Sequence, residues 1–579
     1  MRKTKIICTI GPSSDSPEML RKLIETGMDV MRLNFSHGDH AEHGERIRIA
    51  KRIRAEIGVP LGILMDTSGP EIRIGKFKQA PVTLCQGQTF TLYTQPCEGD
   101  ETGVCITYPG LVKDVRAGST ILLSDGLIEL TAESVSDTEI RCRVMNPGVL
   151  ANRQGINVPG VTVSLPSITE KDKSDILFGI EQNIDFIAAS FVRKATDILE
   201  IRQLLDSNNG SHIQIIAKIE CQAAITNFDE ILAVADGIMV ARGDLGVEIP
   251  IERVPVVQKA LIHKCRLAGK PVITATQMLD SMIRHPRPTR AEVNDVANTI
   301  LDGSDAIMLS GETASGKYPV EVLDTMARIT ASTEGSYRHS YDQENAGISG
   351  GSITNAVSHA CYSIAADLNA SAIITATKGG YTARMVAKCR PQCAIYAPTI
   401  EETTYHQLSL VWGVRPLMST PVFHTDEMIE VSVDLVAAQG FVKPGDQVVI
   451  TAGIPSGRCG STNLIKVHVV GEVLVRGRGI GTQAVSGPTC TVHSATDAAE
   501  KFKDGCVLVT ATGDNTLIPF MKRAAAVITE DGDITSHAAM IGLTFNIPII
   551  LGVHNAMKLL QDDVVVTVDP LSGTAYTGR

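Results

Sequence analysis

Aromatic residues are scarce in this 579-residue chain, 4% of the total with a single tryptophan, Trp412. A surface that binds single-stranded nucleic acid by stacking needs more rings, so the composition argues against that class first. Long apolar runs are missing as well. The nearest, 538–553, is interrupted by Thr544, Asn546 and Pro548 and falls short of a bilayer span. At the N-terminus the apolar run 6–10 contains Thr9 and stops at Gly11-Pro12, too short for a secretory signal. We therefore expect a soluble cytoplasmic protein with no membrane partner. Positive charge is not in excess. A net charge of −11 argues against a general binder of nucleic acid or anionic membrane, but not against an anionic small substrate met by local cations. Paired cysteine motifs are lacking too. The 13 cysteines are scattered and odd in number, and the close pair Cys389 and Cys393 has no second pair to complete a zinc site. Reduced, mostly buried thiols are expected.

Apolar material is plentiful, 44% of residues against 20% charged, and at about 150 residues per domain the length predicts about three or four domains. Over the first part of the chain, short apolar runs alternate with longer amphipathic stretches. The runs at 5–8, 30–35, 61–66, 185–191, 213–220, 237–242, 271–277 and 305–309 read as buried parallel strands, with helices between them at 18–26, 169–182, 254–267 and 290–301. Eight such units predict an α/β fold of the (β/α)8 TIM-barrel type. Between Asp66 and about Pro166 the texture changes to short β-rich segments, 88–93, 119–123, 127–130 and 138–144, joined by turn pairs such as Asp125-Gly126, Pro109-Gly110 and Pro147-Gly148. This predicts a small β-barrel lid domain inserted after the third barrel strand. We place the catalytic barrel at 1–69 and 168–340 and the lid at 70–167. After a polar, Gly-rich linker at 341–351, helices at 356–368 and 383–390 and strands at 372–377 and 447–452 predict an α/β domain over 352–471. A Gly-dotted stretch, Arg476-Gly-Arg-Gly-Ile-Gly481, precedes a last α/β unit at 484–579.

A (β/α)8 barrel carries its functional groups at the C-terminal ends of its strands. Here those ends read Arg32, Asn34, Ser36 and His37; Asp66, Thr67, Glu71 and Arg73; Lys218 and Glu220; Arg242, Gly243 and Asp244; Thr274, Thr276 and Gln277; Ser310 and Glu312. Any one set is explained by a loop cap or a surface ion pair, but six converging on one mouth are hard to explain as packing. Lys218 and Glu220 are two apart on a strand and point to the same side. Glu220 and Asp244 come from adjacent strands, and two carboxylates so placed suit Mg2+, which leaves its other positions to substrate and water. Arg32, Arg73 and Lys218 bring positive charge, and Gly243 allows close approach of backbone N–H groups to an anion. Cations plus a carboxylate-held Mg2+ are the parts needed for phosphoryl transfer. The hard oxygens of Asn34, Ser36, Asp66 and Thr67 can hold a second cation, although spacing alone favours ordinary hydrogen bonding in a barrel-end loop.

These residues lie in stretches that resemble the pyruvate kinase family. They are Thr4-Lys-Ile-Ile-Cys-Thr-Ile-Gly-Pro12, Met31-Arg-Leu-Asn-Phe-Ser-His-Gly38, Asp66-Thr-Ser-Gly-Pro-Glu-Ile-Arg73, Ala217-Lys-Ile-Glu220, Met239-Val-Ala-Arg-Gly-Asp-Leu-Gly-Val-Glu248, Thr274-Ala-Thr-Gln-Met-Leu279 and Ile307-Met-Leu-Ser-Gly-Glu-Thr-Ala314, in family order. The resemblance implies transfer of the phosphoryl group of phosphoenolpyruvate to ADP, giving ATP and pyruvate as in the last step of glycolysis, with Mg2+ (or Mn2+) and K+ as cofactors. It implies that Lys218 neutralises the transferring phosphoryl and that Glu220 and Asp244 hold the divalent ion. Arg32, Lys218, the backbone of Gly243 and Asp244, and Thr276 are implied to bind phosphoenolpyruvate. Asn34, Ser36, Asp66 and Thr67 are implied to hold K+, and Asn34, Phe35, Ser36, His37 and Arg73 to face the nucleotide. Thr276 and Ser310 lie near the implied proton route to enolpyruvate. In the family Glu at the position of Glu71 goes with K+ dependence, because a Lys there stands in for the mobile cation, so K+-dependent activity is expected. Two positions depart from the family: Ser68 where many members carry Lys, and Gln154 where a Lys usually reaches the nucleotide phosphates, with Arg153 next door.

Downstream, Thr375, Thr377, Lys378, Gly379, Gly380 and Thr382 lie where a strand runs through a Gly-containing loop into a helix, a generic anion site as well as an ordinary β–α turn. The family places a sugar-phosphate effector here, so an allosteric site for a phosphorylated metabolite is expected, together with a homotetramer. The last segment, Ile528-Thr-Glu-Asp-Gly-Asp-Ile-Thr-Ser-His537, resembles the phosphohistidine domain of phosphoenolpyruvate-utilising enzymes, which some bacterial members of the family carry as an extension. A structural or regulatory role is expected for it. Two other functions compete. A swivelling-His dikinase needs a nucleotide-grasp domain for which no segment remains. A non-catalytic sensor predicts loss of Lys218, Glu220 or Asp244, and all three are present.

Overall fold

The computed structural model describes residues 2–161, 163–336, 352–422, 424–454, 462–471 and 473–577; the expected linker at 341–351 lies outside them. The chain forms two compact units. One comprises Met1–Ala356, Thr377–Gln392 and Thr399–Met418, the other Val357–Ala376, Cys393–Pro398 and Ser419–Arg579.

In the first unit eight parallel strands close into a barrel: Lys5–Thr9, Val30–Asn34, Gly62–Asp66, Phe186–Ala189, Gln214–Ile219, Gly237–Ala241, Val272–Ala275 and Ala306–Leu309. All eight runs read from the sequence are strands, because a parallel strand buried on both faces is apolar throughout. Alternate side chains divide two cores. Ile7, Leu64, Ile216, Met239, Ile273 and Met308 fill the barrel, while Ile6, Ile63, Ile187, Ile215, Ile238 and Ile307 pack under the helices. The helices begin where capping is available. Ser16 accepts the Met19 N–H ahead of Pro17–Thr26, and capping boxes at Thr169/Asp172 and Thr289/Glu292 open Glu170–Glu181 and Arg290–Leu301.

The lid follows the third strand around its own apolar core, which includes Phe90, Leu92, Ile121, Leu130 and Ile140. Its hydrogen bonding closes on itself, as a small β-barrel requires. Seven strands follow one another from Ile72–Arg73 to Gly103–Cys105, and these two ends are joined by the Ile74–Ile106 bridge, with the Gly75 N–H on the Cys105 carbonyl at 2.8 Å and the Thr107 N–H on the Arg73 carbonyl at 2.9 Å, while Val82–Leu84 and Gly148–Leu150 pair with each other. In the second unit Ala372–Thr375 lies between the parallel strands Ala394–Thr399 and Gln447–Gly453, and Thr462–Val469 pairs antiparallel to the latter. Further on, an eight-stranded sheet runs between Val473–Arg476 and Arg478–Ile480. The Gly-dotted stretch has a steric cause: a Cβ on Gly479 would stand 1.7 Å from the carbonyl oxygen of Pro570.

The barrel has a repeated device at the start of alternate strands. Asp29, Asp185, Asp236 and Asp305 immediately precede the second, fourth, sixth and eighth strands. Each gives its backbone N–H to a residue of the preceding strand and takes that residue's N–H on its carboxylate. The acceptor distances are 2.8 Å from Ile6, 2.8 Å from Ile63, 2.8 Å from Ile215 and 3.0 Å from Val272. Each also meets a guanidinium, at 2.5 Å (Arg2), 3.4 Å (Arg54), 2.7 Å (Arg202) and 3.0 Å (Arg390). The four differ in burial. Asp305 and Arg390 are 9% and 2% exposed at their side chains, Asp236 and Arg202 38% and 26%. Removing one partner of a buried pair strands the other charge, whereas a partly exposed pair is rescued by water. Asp305→Ala should therefore cost about 3–5 kcal/mol and Asp236→Ala about 1 kcal/mol. Denaturant midpoints of the two variants test this, and equal losses would refute burial as the deciding factor.

Candidate active site

Asp66, the last residue of the third strand, is 1% exposed and sits at the centre of the barrel mouth. Its Oδ2 accepts Arg32 Nε at 2.7 Å and its Oδ1 lies 3.1 Å from Lys218 Nζ. Lys218 Nζ also meets Glu220 Oε1 at 2.9 Å and donates to Ser190 Oγ at 2.8 Å. Arg32 reaches across to Thr9 Oγ1 at 2.9 Å. Five consecutive strand ends thus contribute to one network. Burial works against the charges, yet Lys218 and Arg32 hold the Asp66 carboxyl below its ordinary range. Asp66 and Glu220 in turn outweigh burial and hold the Lys218 ammonium above its own. Glu220 is fixed from behind by the Phe191 N–H at 2.7 Å. Phe191 has φ +54°, a costly conformation for a bulky residue and one that aims its N–H at the carboxylate.

The other strand ends complete the mouth. The sixth strand stops at Ala241 and a short helix, Arg242–Glu248, carries Gly243 and Asp244. The Gly243 N–H donates to Thr276 Oγ1 at 2.8 Å rather than standing free. Thr276 and Gln277 are both left-handed, with φ +69° and +55°. Arg242 clamps this loop through the Thr276 carbonyl at 2.7 Å and is itself held by Asp295 at 2.8 Å. Glu312 takes the N–H groups of Ser310 at 2.7 Å and Leu279 at 3.2 Å. Ser310 Oγ is buried without a hydrogen-bond partner among the described residues. Asp244 makes no hydrogen bond or ion pair among the described residues, and burial followed by the Glu220 charge pushes its carboxyl well above the usual carboxylate range. The lid turn carrying Asp125 lies close enough to add to that shift, and the lid's Asn157 donates to Glu248 at 3.1 Å.

The loop after the second strand is placed less as expected. Asn34 Oδ1 accepts the Ser36 N–H at 3.1 Å, and the Ser36 and His37 side chains are exposed. The Phe35 ring, by contrast, is buried and stacked on His43 with centroids 4.1 Å apart, so only its backbone can meet a ligand. Its carbonyl takes the Lys171 ammonium at 2.6 Å, and Lys171 lies 3.3 Å from Ser68 Oγ. A helix thus supplies a cation at the position where Ser68 replaces the Lys of many family members. Thr67 Oγ1 takes the Ser190 N–H at 3.1 Å. Arg73 lies in the lid, held by Glu71 at 2.6 Å and the Arg153 carbonyl at 2.9 Å, away from the Lys218 network. Gln154 spends its amide on Ala151 N and Ser124 Oγ, at 2.9 and 2.8 Å.

Farther along the chain, Thr375 is fully buried in its strand with its hydroxyl on the Tyr396 carbonyl. Thr377 is half-buried, Lys378 and Gly379 are exposed, and Gly380, at φ +74°, precedes the helix in which Thr382 is buried. His537 is exposed at the start of the helix His537–Phe545, capped by Ser536. Among the described residues no group of three or more His, Cys, Asp or Glu is arranged around a metal. A pair of carboxylates, Glu220 and Asp244, is what the mouth provides. Thr9 and Ser190 do not stand out in the sequence, since a lone hydroxyl carries no charge signature; their place at strand ends is the one available signal.

Fold and mouth together define a (β/α)8-barrel phosphotransferase. Family models agree: the barrel domain of pyruvate kinase matches residues 1–323, its alpha/beta domain 355–468, and the mobile domain of PEP-utilising enzymes 502–573. Over its full length the chain is 51% identical to a pyruvate kinase of Geobacillus stearothermophilus and 51% identical to one of Bacillus licheniformis, covering 99% of each. It is also similar to a solved pyruvate kinase of Cryptosporidium parvum, with TM-score 0.77 and 40% identity over 81% of this chain and 96% of that one. The chain belongs to the pyruvate kinase family.

Ser190 positions Lys218 by accepting from its ammonium while donating to the Thr67 carbonyl at 2.7 Å. Ser190→Ala should lower kcat/KM about 10- to 150-fold, the loss of about 1.5–3 kcal/mol expected for one charge-assisted hydrogen bond. Steady-state rates alongside thermal melts check this; unchanged rates with an intact fold would remove Ser190 from the machinery.

Proposed function

We propose that this chain transfers the phosphoryl group of phosphoenolpyruvate to ADP, giving ATP and pyruvate. The observation that carries the reading is the Lys218 ammonium, held between Asp66, Glu220 and Ser190 beside Arg32. As the phosphoryl passes from the enol oxygen to a terminal oxygen of ADP, its charge stays on three peripheral oxygens. Cations already fixed by neighbouring carboxylates stabilise that charge without reorganising. In this reading Arg32, the backbone of Gly243 and Asp244, and Thr276 bind phosphoenolpyruvate. Backbone of Asn34 and Phe35 together with Ser36, His37 and Arg73 face the nucleotide. The enolpyruvate released takes a proton at carbon, and the unpartnered Ser310 hydroxyl, with Thr276, is on hand to hold that proton or a water that carries it.

Members of the family are generally Mg2+ and K+ dependent. Here the residues fit both ions. Asp244 is a carboxylate with no partner among the described residues beside a second carboxylate, Glu220, and such a pair suits a divalent cation. When bound, that ion would neutralise charge on the phosphoryl group. Asn34, Ser36, Asp66 and Thr67 offer hard oxygens only, as a K+ site requires, and Glu71 places a carboxylate, not a fixed ammonium, beside Arg73. His537 has no step in this transfer.

A coupled assay of pyruvate formation tests the reading. Activity should require phosphoenolpyruvate, ADP and Mg2+, and should fall about tenfold or more, roughly 1.4 kcal/mol, when Na+ replaces K+. Lys218→Met should abolish it with the fold retained, and His537→Ala should leave it unchanged. Equal turnover in the two salts would reject the K+ assignment, and an active Lys218→Met would reject the mechanism.

We further assign the loop from Thr375 to Thr382 to a phosphorylated effector, on the exposed Lys378 and the glycine pair that follows it; the buried Thr375 takes part only as a support. Sugar phosphates or AMP should then lower the half-saturating phosphoenolpyruvate concentration, and a curve unmoved by the whole panel would reject the assignment.

A further inference from the structure

Two lid cysteines lie against each other and take no part in the function proposed above. After the strand Thr89–Tyr93 the chain passes Cys97, bridges Gly99 to Phe77, and reverses between Asp100 and Gly103, whose backbone groups bond each other in both directions. It returns as the strand Gly103–Cys105. This reversal lays Cys105 beside Cys97. The Cys105 thiol donates to the Cys97 carbonyl at 3.1 Å. Cys97 is exposed and Cys105 half-buried, so an oxidant in solution reaches them. A second thiol pair, Cys490 and Cys506, is buried on both sides. Burial, then the Cys105 sulfur, push the Cys97 thiol up.

Cys105 also abuts the strand that carries Arg73. Its carbonyl takes the Gly75 N–H at 2.8 Å, and its sulfur rests on the bare face of Gly75, where a Cβ would fall 2.4 Å away. Ile106 bridges Ile74, and Thr107 exchanges two bonds with Arg73, each 2.9 Å. Any movement of the Cys105 sulfur is therefore felt within two residues of Arg73. The loop that a bond would close is short, so it would add less stability through chain entropy than a long loop would. Its local effect would fall on the neighbouring strand.

We propose that Cys97 and Cys105 form a reversible disulfide under peroxide, and that the bond weakens nucleotide binding by displacing the Arg73 strand. The second half rests on the assignment of Arg73 to the nucleotide. Hydrogen peroxide oxidises one thiol to a sulfenic acid and is reduced to water. The other thiol then attacks that sulfur, forming the S–S bond and releasing the sulfenic oxygen, with two protons, as a second water. A dithiol reductant reverses the bond by exchange.

The full chain is reduced, exposed to hydrogen peroxide, alkylated, and cut after Glu98 and Glu101, which separates the two sulfurs. The expected result is a linked Cys97–Cys105 fragment two hydrogens lighter than its parts, lost with dithiothreitol and absent in Cys97→Ser. Half-saturating ADP should rise about fivefold or more with the link and return on reduction. Separate alkylation of both thiols after peroxide would overturn the disulfide. A complete link with half-saturating ADP unmoved would overturn its coupling to Arg73. Because the link is read by mass, a reduced chain inactive toward phosphoenolpyruvate would count against the proposed function and not against the disulfide.

Discussion

A buried carboxylate with two cations on it organises this protein's mouth. Asp66 is almost fully enclosed, and an ion so placed is tolerated only when it is paired and hydrogen-bonded. Arg32 and Lys218 meet that requirement, and they in turn are allowed into the barrel end only because Asp66 and Glu220 neutralise them. Asp244 then makes a third carboxylate against two cations. The imbalance is what a divalent ion would correct, and with such an ion in place the mouth turns net positive toward an anionic substrate. Its chemistry depends on a charge balance that the protein side chains leave unfinished.

The barrel separates stability from reactivity by strand end. At the strand starts, Asp29, Asp185, Asp236 and Asp305 repeat one arrangement, each tying its neighbour's backbone and meeting an arginine. Each of these carboxylates is paired with a guanidinium. At the strand ends Ser310 Oγ and the Asp244 carboxylate have no partner among the described residues, and Phe191, Thr276 and Gln277 hold backbone conformations that cost energy. The regular end can sustain the irregular one because they share the same eight strands.

Much of this was legible in the residues. The eight strands follow from apolar runs, and Lys218, Glu220, Asp244 and Arg32 are charged groups at their ends. Less was legible where a role depends on what lies opposite. Ser190 and Thr9 are single hydroxyls until the barrel closes and sets them against Lys218 and Arg32. Lys171 is one more helix lysine until its helix brings it to the Phe35 carbonyl beside Ser68. Phe35 sits in the midst of a binding motif, yet its ring belongs to the packing around His43. The pairing of Asp residues with alternate strands appears as a pattern only once the partner of each carboxylate is known.

The sequence by itself determined the barrel, the place of the insertion and the kinds of group at the mouth, because strand periodicity and residue chemistry are local properties. Tertiary structure alone decided which charges neutralise one another, which hydroxyls and carboxylates stay unpartnered, and that the Cys105 thiol meets the Cys97 carbonyl. Those are facts of distance between residues far apart in the chain or set together by a reversal, and a linear order of residues does not contain distance.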